Sequence, residues 1–161
     1  MNNWCKTWEQ DISKYDLVKY INQRMTSSDG SWWNLYEEKE DFADYTAELR
    51  KELEHKVNDK LVYMGVWDYY PGYVDDLGPH IDNGGKENAV IFVVPKGELT
   101  VTLHNTDTKQ VIESKKISGN TAMALHHTKF MHDINGQGLL VVFGISKNFD
   151  AEEYFNKDVI S

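Results

Sequence analysis

Two short segments of this 161-residue chain carry side chains in a pattern suited to a metal ion. In Gly78-Pro79-His80-Ile81-Asp82-Asn83, an extended backbone sends side chains two apart to the same face, so His80 and Asp82 project together. About 50 residues on, Phe130-Met131-His132-Asp133-Ile134 offers another histidine in a strand-like setting. Neutral imidazole and carboxylate both ligate divalent transition metals, at bonds of about 2.0–2.2 Å. Two histidines and one carboxylate gathered on one side of an ion leave its other side open for substrate and oxygen. An H-x-D triplet is common and by itself usually structural. The Gly-Pro turn ahead of it and the second histidine at this distance make His80, Asp82 and His132 the candidate metal ligands.

Those ligands need elements to hold them. After Asn58 the sequence breaks into β-branched runs separated by glycine, proline and asparagine: LVYMGVWDYY, AVIFVVP, ELTVTLH, QVIESKKIS, TAMAL, FMHDI and LLVVFGIS. Seven or eight short strands with almost no helix among them predict an antiparallel sandwich or barrel. AVIFVVP and LLVVFGIS are continuously apolar, as strands covered on both faces should be. An eight-stranded jelly roll can bring the two ligand-bearing strands face to face, and the ligand set then matches the facial triad of non-haem Fe(II) oxygenases. Residues 1–58 read as a helical layer over one sheet. A first helix spans Ile12 to Ile21 and ends near Thr26-Ser27-Ser28-Asp29-Gly30. In a second, Phe42, Tyr45, Leu49, Leu53 and Val57 share one face. Glu52 and Lys56 form an i, i+4 pair on its solvated side. The expectation is one domain over 1–161: the helical layer 1–58, a β core 59–148 and a tail 149–161.

The stretch Tyr70-Pro71-Gly72 … Leu77-Gly78-Pro79-His80-Ile81-Asp82-Asn83 resembles the entry to the iron site of 2-oxoglutarate/Fe(II)-dependent oxygenases, in particular prolyl-hydroxylase-like and small phage-type members. The second block is similar: Gly119, Ala122-Met123-Ala124-Leu125, His132-Asp133-Ile134 and Leu139-Leu140-Val141-Val142-Phe143 follow that family's order of glycine turn, apolar strand, distal histidine and closing strand. The resemblance covers residues 61 to 148. It implies a double-stranded β-helix (the cupin-like jelly roll), Fe(II) held by His80, Asp82 and His132, and oxidative decarboxylation of 2-oxoglutarate coupled to hydroxylation of a small molecule or protein side chain. Family members usually carry an arginine or lysine at the start of the closing strand, where it grips the far carboxylate of 2-oxoglutarate. Here that neighbourhood reads Gly136-Gln137-Gly138-Leu139-Leu140-Val141, without a cation. Lys86, Lys96 or Lys147 from another strand, or the hydroxyls of Tyr69 and Tyr73, are the available substitutes; Tyr69, Tyr73 and Lys86 are the candidate 2-oxoglutarate contacts.

Two other readings share the architecture. His80, Asp82 and Glu87 have the spacing of a cupin H-x-H-x4-E motif with aspartate in second place, which makes a metal enzyme that uses no 2-oxoglutarate. A non-catalytic jelly-roll binding module is the third. Adjacent histidines such as His126 and His127 point opposite ways in extended chain, so one can contact substrate and at least one should be solvated. His104 and His55 read as surface residues. Trp32-Trp33 with Tyr36 suits either an aromatic lid or packing of the helical layer. Cys5 has no general base near it in sequence, and the chain has neither a Gly-rich phosphate loop nor a G-x-S-x-G elbow.

Composition narrows the partners. With 40% apolar and 12% aromatic residues the chain can bury a core, and disorder or coiled coil fits poorly. Its 17 basic against 26 acidic side chains give −9, which argues against nucleic acid and acidic membrane surfaces. The single cysteine suits a reducing compartment, and the N-terminus lacks a signal-peptide pattern, so a cytoplasmic location is expected.

Overall fold

The computed structural model describes residues 3–22, 31–32, 45–71, 77–83 and 87–157. In chain order these form strand β1 (Cys5–Glu9), a 3-10 turn (Ser13–Tyr15), helix α1 (Leu17–Asn22), strand β2 (Ser31–Trp32), helix α2 (Ala47–Val57), strands β3 (Leu61–Tyr69), β4 (Glu87–His104), β5 (Val111–Ser118), β6 (Thr121–Leu125) and β7 (His132–Ser146), and helix α3 (Ala151–Asn156).

The change from helical to strand pattern falls at residue 60, as the sequence indicates. Asn58 caps α2 in the left-handed region at φ 55°, and its N–H donates to Glu54 O. The Glu54 side chain then accepts the N–H of Leu61, where β3 begins. Leu49, Leu53 and Val57 are buried along one face of α2. Tyr45 departs from that face: it is 36% exposed, its ring stacks on Tyr20 at 3.6 Å, and its hydroxyl donates to Tyr15 O. Phe42 lies outside the described residues. Glu52 does not pair with Lys56. It faces Lys14 at 3.2 Å and accepts from Tyr15 Oη, so it ties α2 to the turn before α1; the i, i+4 pair on this helix is Arg50–Glu54 at 3.4 Å. The first predicted helix is split by Asp16, at φ 46°, into the 3-10 turn and α1.

β4 and β7 dominate the sheet. They pair antiparallel from Glu87↔Ser146 to Leu103↔His132, so AVIFVVP and ELTVTLH are one strand, as are FMHDI and LLVVFGIS. The register shifts between Val93 and Lys96, and there the two strands bend together. Gly97, at φ +79°, and Gly138 make this possible: a Cβ on Gly97 would lie 2.3 Å from Gln137 O, and one on Gly138 would lie 2.6 Å from Lys96 O. Before the bend β4 pairs with β6, which in turn carries β1; after it, β4 pairs with β5. β3 lies on the other side of β7 and carries β2 at its edge.

Alternation along β4 and β7 divides the core in two. Ala89, Ile91 and Val93, with Val141, Phe143 and Ile145, pack on the helical side against Leu49, Leu53 and Ile21. Val90, Phe92 and Val94 pack inward with Leu99, Val101 and Leu103 from beyond the bend, so the two halves of the antiparallel sheet face each other in a jelly-roll-like fold. Each of the valine, leucine, isoleucine and phenylalanine side chains contributes about 1.5–3 kcal/mol by leaving water.

Two boundaries need correction. The layer 1–58 is not wholly helical, because Cys5–Glu9 adds a strand to the edge of β6, from Cys5↔Leu125 to Glu9↔Thr121. The segment 149–161 is not a bare tail, because it carries α3. Asp150 Oδ1 accepts the Glu153 N–H to start that helix, and Ala151 and Phe155 are buried in the helix-side core. Among the described residues no helix is long and apolar enough to cross a membrane.

Candidate metal centre

His80 and His132 meet as a backbone pair. The N–H of each donates to the carbonyl of the other, both at 2.9 Å, and this isolated antiparallel bridge sets the ring centroids 4.6 Å apart. The left-handed Gly78 (φ +63°) turns the chain into the bridge. Two residues on, the Asp82 N–H donates to His127 O at 3.0 Å, which fixes the carboxylate on the same side.

Both imidazoles are oriented by their own backbone. His80 Nδ1 lies 2.7 Å from Gly78 O, and His132 Nδ1 lies 2.8 Å from Phe130 O. A carbonyl only accepts, so each Nδ1 donates to it and each Nε2 is the atom turned toward Asp82. These Nε2 atoms stand 3.4 Å (His80) and 3.3 Å (His132) from the two oxygens of Asp82. The ligand atoms of all three residues lie within 4.8 Å of one another. Adjacent ligands at about 2.1 Å from one ion are about 3 Å apart, so the group is sized to hold a first-row metal. Burial alone would raise the Asp82 pKa. Hydrogen bonding from His132 and His80, with the charge of His132 and His127, outweighs it and holds the carboxyl well below its ordinary value.

The group opens on a cavity of about 280 Å³ between the two halves of the sheet. Its walls are Trp67 and Tyr69 of β3, Val90 and Phe92 of β4, and Leu140 and Val142 of β7. Tyr63, Glu87 and His127 add polar groups, and Leu77, 57% exposed, stands at the rim.

Of the predicted contacts to a cosubstrate, Tyr69 lines this cavity, while Tyr73 and Lys86 lie outside the described residues. Lys96 and Lys147 are exposed and do not line it. Glu87 lines it but turns to His127, Oε1 to Nε2 at 3.3 Å, instead of joining the ligand group as the cupin spacing requires. The expectation that His126 or His127 is solvated is corrected. Both are buried: His127 sits in the cavity wall, and His126 stacks on Phe155 with ring centroids 5.1 Å apart. His104 is no surface residue either; its Nδ1 donates to Lys109 O at 2.9 Å and its Nε2 faces Asp133 at 3.2 Å. His55 is exposed, as expected. Cys5 is buried on β1. Trp33 and Tyr36 lie outside the described residues, and Trp32 places its backbone opposite Val66 in β2. Trp67, absent from the sequence-based candidates, is cavity-lining because its position in β3 alternates with that of the outward Val66.

No protein-family model matches the chain, and no curated protein matches it. Solved structures do. A prolyl hydroxylase from Trichoplax adhaerens, in complex with a hypoxia inducible factor oxygen degradation domain peptide fragment, superposes with TM-score 0.55 at 12% identity, over 97% of this chain and 88% of its own. E. coli ycfD superposes with TM-score 0.51 at 14% identity, over 75% of this chain; the chain spans only 36% of the ycfD chain. At these identities the likeness is one of fold. In fold the chain resembles these two proteins, and in motif it resembles the 2-oxoglutarate/Fe(II)-dependent oxygenases.

Proposed function

We propose that this protein is an Fe(II)-dependent oxygenase that consumes a 2-oxo acid, 2-oxoglutarate being the one implied by the resemblance, and hydroxylates a small molecule or a protein side chain. The observation that carries the reading is the convergence of two Nε2 atoms on the Asp82 carboxylate, with each Nδ1 already committed to a backbone carbonyl. Such a donor set fits Fe(II) and leaves one side of the ion to exogenous ligands. Bound there with a 2-oxo acid and O2, the metal supplies an oxidation strong enough to replace an unactivated C–H bond by C–OH. The chain's own residues do the rest. His80 and His132 would serve as imidazole ligands, Asp82 would supply the negative charge, and Phe92, Leu140 and Val142 give the cavity apolar walls. Leu77, exposed and part of the lining, adds an apolar side chain at the rim.

Anaerobic Fe(II) reconstitution followed by optical titration with 2-oxo acids tests this. A weak visible charge-transfer band and, on admitting air, one-carbon-shorter carboxylate are expected. Failure of every 2-oxo acid to give either would contradict the reading.

A further inference from the structure

We infer that the cavity is built for a 2-oxo acid with an apolar or aromatic tail in preference to the dicarboxylate 2-oxoglutarate. This rests on the metal centre proposed above and concerns what lies beyond it. A 2-oxo acid that chelates the ion through its carboxylate and keto oxygens must direct its remaining carbons into the cavity. Its walls include Phe92, Ile134, Leu140 and Val142, all buried, with Tyr63, Tyr69 and His127 as the polar groups beside them. Leu140 and Val142 are the cavity-lining positions of the closing strand, and neither is basic. Among the described residues lining the cavity there is no lysine or arginine, and Glu87 adds a negative charge beside His127.

A second carboxylate entering these surroundings would leave water without a cationic partner among the described lining residues, and would meet Glu87. A phenyl or branched-alkyl tail meets the same walls favourably, because both surfaces leave water. The electron balance of the reaction is indifferent to that tail. Cleavage of the C1–C2 bond of R–CO–COO⁻ releases CO2 and provides two electrons, and the substrate C–H bond provides two more. O2 takes all four; one of its atoms enters R–COO⁻ and the other the new hydroxyl.

The test is calorimetry on the full chain loaded with Mn(II), without oxygen, using phenylpyruvate, 4-methyl-2-oxopentanoate and 2-oxoglutarate. Phenylpyruvate or 4-methyl-2-oxopentanoate is expected to bind at least tenfold tighter than 2-oxoglutarate, and Val142→Arg to reverse the order. The wild-type order decides the matter even where that variant does not fold. Equal or tighter binding of 2-oxoglutarate by the wild type overturns the inference while leaving the metal centre standing, and its loss in Lys86→Ala would then locate the cation. Absence of Mn(II) binding overturns the metal centre and the inference together.

Discussion

His80 and His132, 52 positions apart, are each other's backbone partners, with N–H to carbonyl distances of 2.9 Å in both directions. The candidate ligands are therefore placed by strand pairing and not by the side chains themselves. Shortening one ligand side chain removes a donor and leaves the two reciprocal bonds in place. His132→Ala should accordingly keep the strand signature of the wild type by circular dichroism while losing metal. Collapse of the sheet in this variant would show that the imidazole itself holds the bridge.

The bend shared by β4 and β7 depends on the absence of a side chain at Gly97. Alanine there meets Gln137 O at 2.3 Å in addition to its left-handed φ of +79°. Gly97→Ala should cost on the order of 3 kcal/mol. Gly119→Ala is the control: its φ is +49°, but nothing lies within 4 Å of the added Cβ, so about 1 kcal/mol is expected. Denaturant unfolding of the two variants compares them, and equal losses would mean that the bend tolerates a side chain.

Leu53, fully buried, joins α2 to the outer face of the sheet. Leu53→Ala should destabilise by about 2–5 kcal/mol, through lost transfer energy and the cavity left behind. A loss below about 1 kcal/mol would mean that α2 is only loosely seated.

His126 is packed between Phe130 and Phe155, and burial lowers its pKa below 6.5. The folded state thus favours the neutral ring more than the unfolded chain does. Its contribution is complete above the unfolded value of 6.5 and is lost as pH falls through the lower folded value. Between about pH 7.5 and about pH 5.5, Tm should fall less in His126→Phe than in the wild type. An identical fall in the two proteins would remove His126 from the pH dependence.

The candidate site was legible because its residue types and its period of two are local features: Gly78 turns the chain, and His80 and Asp82 then share a face. The lengths of β4 and β7 were not. Pro95-Lys96-Gly97 and Gly136-Gln137-Gly138 read as turns, yet they are the two sides of one bend, and only their pairing reveals it. The buried histidines were hidden for a similar reason. What removes His104, His126 and His127 from solvent is contributed by residues distant in sequence such as Asp133, Phe155 and Glu87. Likewise, β1 is too short for its alternation to show, and it forms because β6 offers an edge to pair with.

The account stands on His80, Asp82 and His132 forming one metal site. Anaerobic titration with Mn(II), followed by calorimetry and by electron paramagnetic resonance of the free ion, tests it most directly in the wild type and in Asp82→Ala. One equivalent should bind to the wild type. Asp82→Ala loses a ligand and its negative charge, so its affinity should be weaker by about a hundredfold or more, with the fold unchanged. Full stoichiometry and wild-type affinity in Asp82→Ala would contradict the assignment.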